Sequence, residues 1–121
     1  MPFRNQNRYQ GQVTRVIDGD TFEILINLGF GVTQKFHVRL DGIDTPEVTT
    51  EKGRMAREYV RGLIENKNVV ICDQGSEKYG RARASIELPS GQDLAEYLIE
   101  NKIGIEYHGE KKKSFAALTM I

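Results

Sequence analysis

A chain of 121 residues with 39% apolar side chains is the size of one domain and can bury one modest core. Its 17 basic and 17 acidic side chains cancel, which excludes capture of nucleic acid by an overall basic field and leaves only a local patch. One cysteine excludes an internal disulfide, and no apolar run suits a bilayer span or a secretory leader, so the chain as given reads as intracellular unless a leader was removed.

Residues 1–8 read as a solvated, flexible arm carrying Arg4 and Arg8, and 9–108 as the folded domain. The runs 13–17 and 21–26 are rich in β-branched and aromatic residues and flank Asp18-Gly19-Asp20, a hairpin signal. Gly29 and Gly31 mark a second turn before a third strand over 34–40. There Phe36, Val38 and Leu40 share one face, while His37 and Arg39 share the other. His37 reads as an ordinary surface residue. A turn stiffened by Pro46 then carries Asp44, Thr45 and Glu47.

The period next changes to three and four. Met55, Ala56, Tyr59, Val60, Leu63 and Ile64 form the apolar stripe of a helix over about 51–65, capped by Thr49 or Thr50. Strands follow over 69–73 and 83–88, joined by the loop 74–80, and Cys72 reads as a small buried strand residue. A second helix over about 93–101 turns Leu94, Ala95, Leu98 and Ile99 inward, and 103–107 runs extended. Residues 109–121 form a tail or a shortened helix, with Phe115 and Leu118 able to dock on the domain. Three strands, a helix, two strands and a helix is the order of a five-stranded OB-fold-like barrel, a mainly β chain with α-helices (α+β), which closes its sheet to avoid exposed edges.

Several chemistries fall away. Two histidines and one cysteine without metal-ligand spacing make no zinc centre, and there is no P-loop. Asp18-Gly19-Asp20 fails as an EF-hand because Phe22 and Ile24 stand where oxygen ligands belong. The serines have no histidine in sequence context to suggest a triad. The acids at strand ends remain. If Asp20 and Asp44 meet, their charges repel unless a cation lies between them, and calcium accepts two aspartates with a turn carbonyl. Asp18 and Asp41, each before a glycine, have turn formation as their simplest role. Arg39 and Arg81 suit bidentate capture of phosphate, or are simply solvated.

Val16-Ile17-Asp18-Gly19-Asp20-Thr21, Val38-Arg39-Leu40 through Ile43-Asp44-Thr45-Pro46-Glu47, and Lys78-Tyr79-Gly80-Arg81 resemble the three signature blocks of the staphylococcal nuclease (thermonuclease, micrococcal nuclease) family. They stand in order and at compatible spacing, and the likeness runs over about 13–105. It implies an OB barrel, and a calcium-dependent, sugar-nonspecific nuclease that cleaves DNA and RNA to 3′-phosphate and 5′-hydroxyl ends. It also implies metal ligation by Asp20, Asp44 and the Thr45 carbonyl, with Asp18 an acid near the ion. Glu47 matches the residue that orients or deprotonates the attacking water, and Arg39 and Arg81 the arginines around the scissile phosphate. Lys78 and Tyr79 match contacts to a terminal phosphate. The family's third helix is short or missing here, and His108 stands near where its second tyrosine would be.

Nothing in the sequence offers a base-edge code, so base contacts read as nonspecific stacking on single-stranded regions. Tyr107 is the candidate platform, with a half-buried structural tyrosine as the alternative. A monomer is expected. The alternative function is a noncatalytic OB-fold module binding nucleic acid or protein, and a third reading is a nuclease working within a larger assembly.

Overall fold

Alternating apolar residues on either side of Gly19-Asp20 build the first hairpin. β1 (Arg8–Asp18) and β2 (Thr21–Gly29) pair antiparallel with Asp18 opposite Thr21, in a computed structural model that describes residues 7–76 and 81–109. β3 (Val32–Leu40) extends the sheet from β2. Val13, Val16, Phe22, Ile24, Val38 and Leu40 all point into the barrel and are buried. Each such side chain contributes about 1.5–3 kcal/mol by leaving water.

The strands outrun the expected spans because polar residues at their ends keep the backbone ladder while facing outward. β1 begins at Arg8, which pairs with Cys72 in the strand over 68–76. Asn7 is held too, exchanging hydrogen bonds of 2.9 Å with the backbone of Asp73, and the rest of the expected arm, 1–6, lies outside the described residues.

α1 (Glu51–Ile64) starts where Thr50 Oγ1 accepts a hydrogen bond from Gly53 N at 3.0 Å. It buries Gly53, Ala56, Val60 and Ile64. Met55 and Tyr59 were expected inward but lie at the stripe's edge, 37% and 39% exposed. After α1 come β5 (Asn68–Ser76) and β6 (Ala82–Glu87), then α2 (Leu94–Glu100), capped by Asp93. Cys72 is not in the core: Ile71 takes the inward position, and Cys72 faces outward with its Sγ 3.4 Å from Arg8 Nη1.

The sheet closes as a five-stranded barrel in the order β1-β2-β3-β6-β5, with β5 returning to pair with β1. β3 and β6 run parallel, so α1 serves as the crossover between the barrel halves. A second, two-stranded ladder joins β4 (Ile43–Asp44) to β7 (Ile105–Glu106). The fold is therefore mainly β with two helices among the described residues, the OB-like barrel expected. The expected tail falls on 110–121, outside the described residues.

Candidate functional site

The hairpin turn and the end of β3 are tied together backbone to backbone. Leu40 N donates to the carbonyl of Asp20 at 2.8 Å. The Asp20 carboxylate then reaches across: Oδ2 accepts from Thr45 N at 2.9 Å and Oδ1 from Thr21 Oγ1 at 3.2 Å. A Cβ on Gly19 would stand 2.8 Å from Thr45 Oγ1, so a bare glycine lets the two segments touch. Gly42, at φ +86°, reverses the chain after β3 in a conformation that side chains resist. Asp44 is thereby delivered opposite Ile105, and Tyr107 N donates to Gly42 O at 3.0 Å.

Arg39 braces this junction. Its Nη1 donates to the carbonyls of Leu40 at 2.9 Å and Ile43 at 2.8 Å, and lies 3.5 Å from Asp20 Oδ2. Its Nη2 lies 3.4 Å from Asp44 Oδ1. One guanidinium, 11% exposed, thus spans two buried carboxylates. Without a cation between them those acids would repel.

Burial, and then hydrogen bonding and repulsion from Asp20, pushes the Asp18 carboxyl up to about 7. Burial opposes ionisation of Asp20 as well. Hydrogen bonding from Asp18, the Arg39 charge and the Thr45 N–H nevertheless hold Asp20 below the usual carboxylate range. The paired acids therefore differ in role, Asp18 keeping its proton into the neutral range and Asp20 staying ionised.

Arg81 joins from β6's approach, its Nη1 donating to Thr21 Oγ1 at 3.4 Å. Thr21 also pairs with Arg39 across β2 and β3, so both guanidiniums flank the Asp20 turn. Glu47 follows the buried Pro46 and is exposed. Its backbone is fixed, since its carbonyl accepts from Thr50 N at 3.0 Å and Thr50 Oγ1 at 2.7 Å. The fold thus brings Asp20, Asp44, Thr45, Arg39 and Arg81 into one cluster, with Glu47 on the turn that leaves it. Lys78 and Tyr79 lie outside the described residues.

Among the described residues no three carboxylate, histidine or cysteine side chains converge as a metal cluster. Two carboxylates, those of Asp20 and Asp44, do converge on the Arg39 guanidinium. An all-oxygen set of this kind fits a hard divalent ion that keeps water and substrate oxygens in its remaining positions.

Sequence reasoning missed the far side of Arg39. An open cleft of about 420 Å³ is lined there by Arg39, Leu40, Asp41, Arg83, Tyr107 and His108, among others. Tyr107 is half-buried at its wall, and Arg83 Nε lies 3.3 Å from Asp41 Oδ1. The available signal was Arg83's outward place on a strand, but its partner strand is not legible locally.

The sequence model of a family described as "Staphylococcal nuclease homologue" matches residues 37–118. The match begins at His37, so the block around Asp20 lies before it. The chain is 33% identical over 88 residues to a "Micrococcal nuclease" of Shigella flexneri, covering 69% of this chain and 48% of that protein. It is 28% identical over 89 residues to an "Uncharacterized endonuclease" of Escherichia coli O157:H7, covering 74% and 55%. It is 32% identical over 77 residues to "Protein ParB" of Escherichia coli, covering 64% and 41%. The chain spans about half the length of these curated relatives.

Proposed function

Because the chain belongs to the staphylococcal nuclease homologue family, we propose that it is a nuclease, a hydrolase of phosphodiester bonds in DNA and RNA. The finer reading is a calcium-dependent, sugar-nonspecific enzyme leaving 3′-phosphate and 5′-hydroxyl ends, with single-stranded regions preferred. One observation carries it: two buried aspartates meet at one guanidinium, with a second guanidinium joined to the same turn through Thr21.

Asp20, Asp44 and the Thr45 carbonyl would hold the calcium ion. When bound, that ion neutralises phosphate charge and eases deprotonation of water. Arg39 is anchored on two backbone carbonyls at 2.8 and 2.9 Å, shorter than its contacts to the acids. Anchoring fixes the plane of the guanidinium for charge-assisted contact with a phosphate oxygen.

Glu47, exposed on a turn whose backbone is pinned, takes the proton from the attacking water. Arg81 stabilises the charge that builds on the equatorial oxygens and on the departing 5′ oxygen. Asp18 supports Asp20 by hydrogen bonding to its ionised form. Lys78 and Tyr79 contact a terminal phosphate, and Tyr107 stacks on a base.

The test is degradation of plasmid DNA and of RNA with calcium against a chelator, with end-labelling of the products. Calcium-dependent cleavage with 5′-hydroxyl ends is expected. Tight binding without turnover at saturating calcium would replace this reading with the noncatalytic module.

A further inference from the structure

We propose that the Asp41–Arg83 pair reads the nucleobase beside the scissile phosphate and favours guanine. Arg39 and Arg83 are direct partners in the parallel β3–β6 ladder, so their side chains leave the barrel on the same face. Arg39 belongs to the phosphate cluster. A nucleotide whose phosphate sits at Arg39 therefore has its sugar and base within reach of Arg83.

The cleft between them is about 420 Å³, inside the roughly 300–1,000 Å³ typical of small-ligand sites. Leu40 is buried at its floor, and Tyr107 offers an aromatic wall. At its open end Arg83 is held from two sides, Nη2 donating to Gln74 O at 2.6 Å and Nε lying 3.3 Å from Asp41 Oδ1. The guanidinium is thus preorganised while 46% exposed, and the Asp41 carboxylate beside it is 36% exposed.

This pair presents a cationic donor next to a two-oxygen acceptor. Of the nucleobases only guanine places an acceptor, O6, beside two adjacent donors, N1–H and N2–H. The carboxylate can take both donors at once while the guanidinium takes O6. Adenine and the pyrimidines lack the adjacent pair of donors. Asp41 is then more than a turn former, and base contacts are more than stacking.

The inference rests on the nuclease reading for its substrate, but its test does not need turnover. GMP, AMP, CMP and UMP are titrated into the full chain with calcium and followed by NMR shifts. GMP is expected to bind roughly tenfold tighter, the scale of one good bidentate base contact. Asp41→Asn and Arg83→Ala should each level the four affinities, with unchanged circular dichroism as the folding control. Equal affinities in the unmodified protein, or a guanine preference that survives both substitutions, overturns the proposal whether or not cleavage is seen. Guanine preference without any cleavage overturns the nuclease reading alone. Where cleavage occurs, sequencing the ends from a random single strand should show guanine enriched at one flanking position, lost in both variants.

Discussion

Gly53→Ala sets helix propensity against tertiary contact at one atom. In an exposed helix interior, replacing glycine by alanine stabilises by about 1 kcal/mol. Gly53 is buried, and its helix lies directly on the turn bearing Glu47. An added Cβ would overlap the Glu47 carbonyl and stand 2.8 Å from the Pro46 oxygen. Backbone atoms cannot swing aside as a flexible side chain does, so the turn or the helix must shift. Overpacking of this kind costs about 1–3 kcal/mol and occasionally more, which outweighs the propensity gain.

Gly62, in the same helix, is the internal control, because an added Cβ there meets nothing within 4 Å. Gly62→Ala should stabilise by about 1 kcal/mol, a rise of roughly 4–8 °C in Tm. Gly53→Ala should move Tm the other way by a similar or larger amount. The shift also displaces Glu47, and a misplacement near 1 Å can cost about 100-fold in rate. Thermal and urea denaturation of both variants, with single-turnover cleavage, measures all of this. If Gly53→Ala matched Gly62→Ala in stability and the unmodified protein in rate, the contact between α1 and the Glu47 turn would have no mechanical role.

Glu47→Gln should lower kcat by at least about 100-fold with Tm unchanged, since the carboxylate is exposed. Arg81→Ala should cost on the order of 100- to 1,000-fold in kcat, and near-normal turnover in either variant would remove the assigned role. Arg39→Ala leaves two buried carboxylates without their shared cation, and should destabilise the chelated protein by about 3–5 kcal/mol at pH 7. Calcium should restore part of that loss in a denaturation series.

Asp18 has a folded-state pKa of about 7, above its ordinary 3.8, so the folded chain binds more protons between those values. Its contribution to stability is present below pH 4 and lost as pH rises toward 7. Asp18→Asn should therefore raise Tm in chelator at pH 8 more than at pH 4. An equal effect at both pH values would contradict the assignment.

The barrel itself was largely readable along the chain. Period-two runs around Gly19-Asp20 and a period-four stripe from Ala56 to Ile64 are local signals, because burial on one face leaves a repeat in the sequence. Edges were less legible. Gln10, Gln12 and Asn27 sit in strands although polar, since outward positions need only backbone pairing. β4 carried no periodic signal, being two residues long, while β7 falls within the run 103–107 that reads as extended. Met55 and Tyr59 show the limit of reading a helix face without knowing what covers it.

Within the site, residue type made Asp20, Asp44, Glu47, Arg39 and Arg81 candidates, because acids and arginines at turns have little to contribute to a core, while Thr45 entered only through the resemblance to the nuclease family. How they meet was decided by long-range register. The parallel pairing of β3 with β6 sets Arg83 beside Arg39, and the antiparallel β4–β7 ladder delivers Asp44 to the guanidinium already holding Asp20. Those pairings depend on packing between segments more than 40 residues apart on the chain for β3 and β6, and about 60 for β4 and β7. Neighbouring residues carry no record of such contacts, so the Asp41–Arg83 cleft emerges only once the barrel closes.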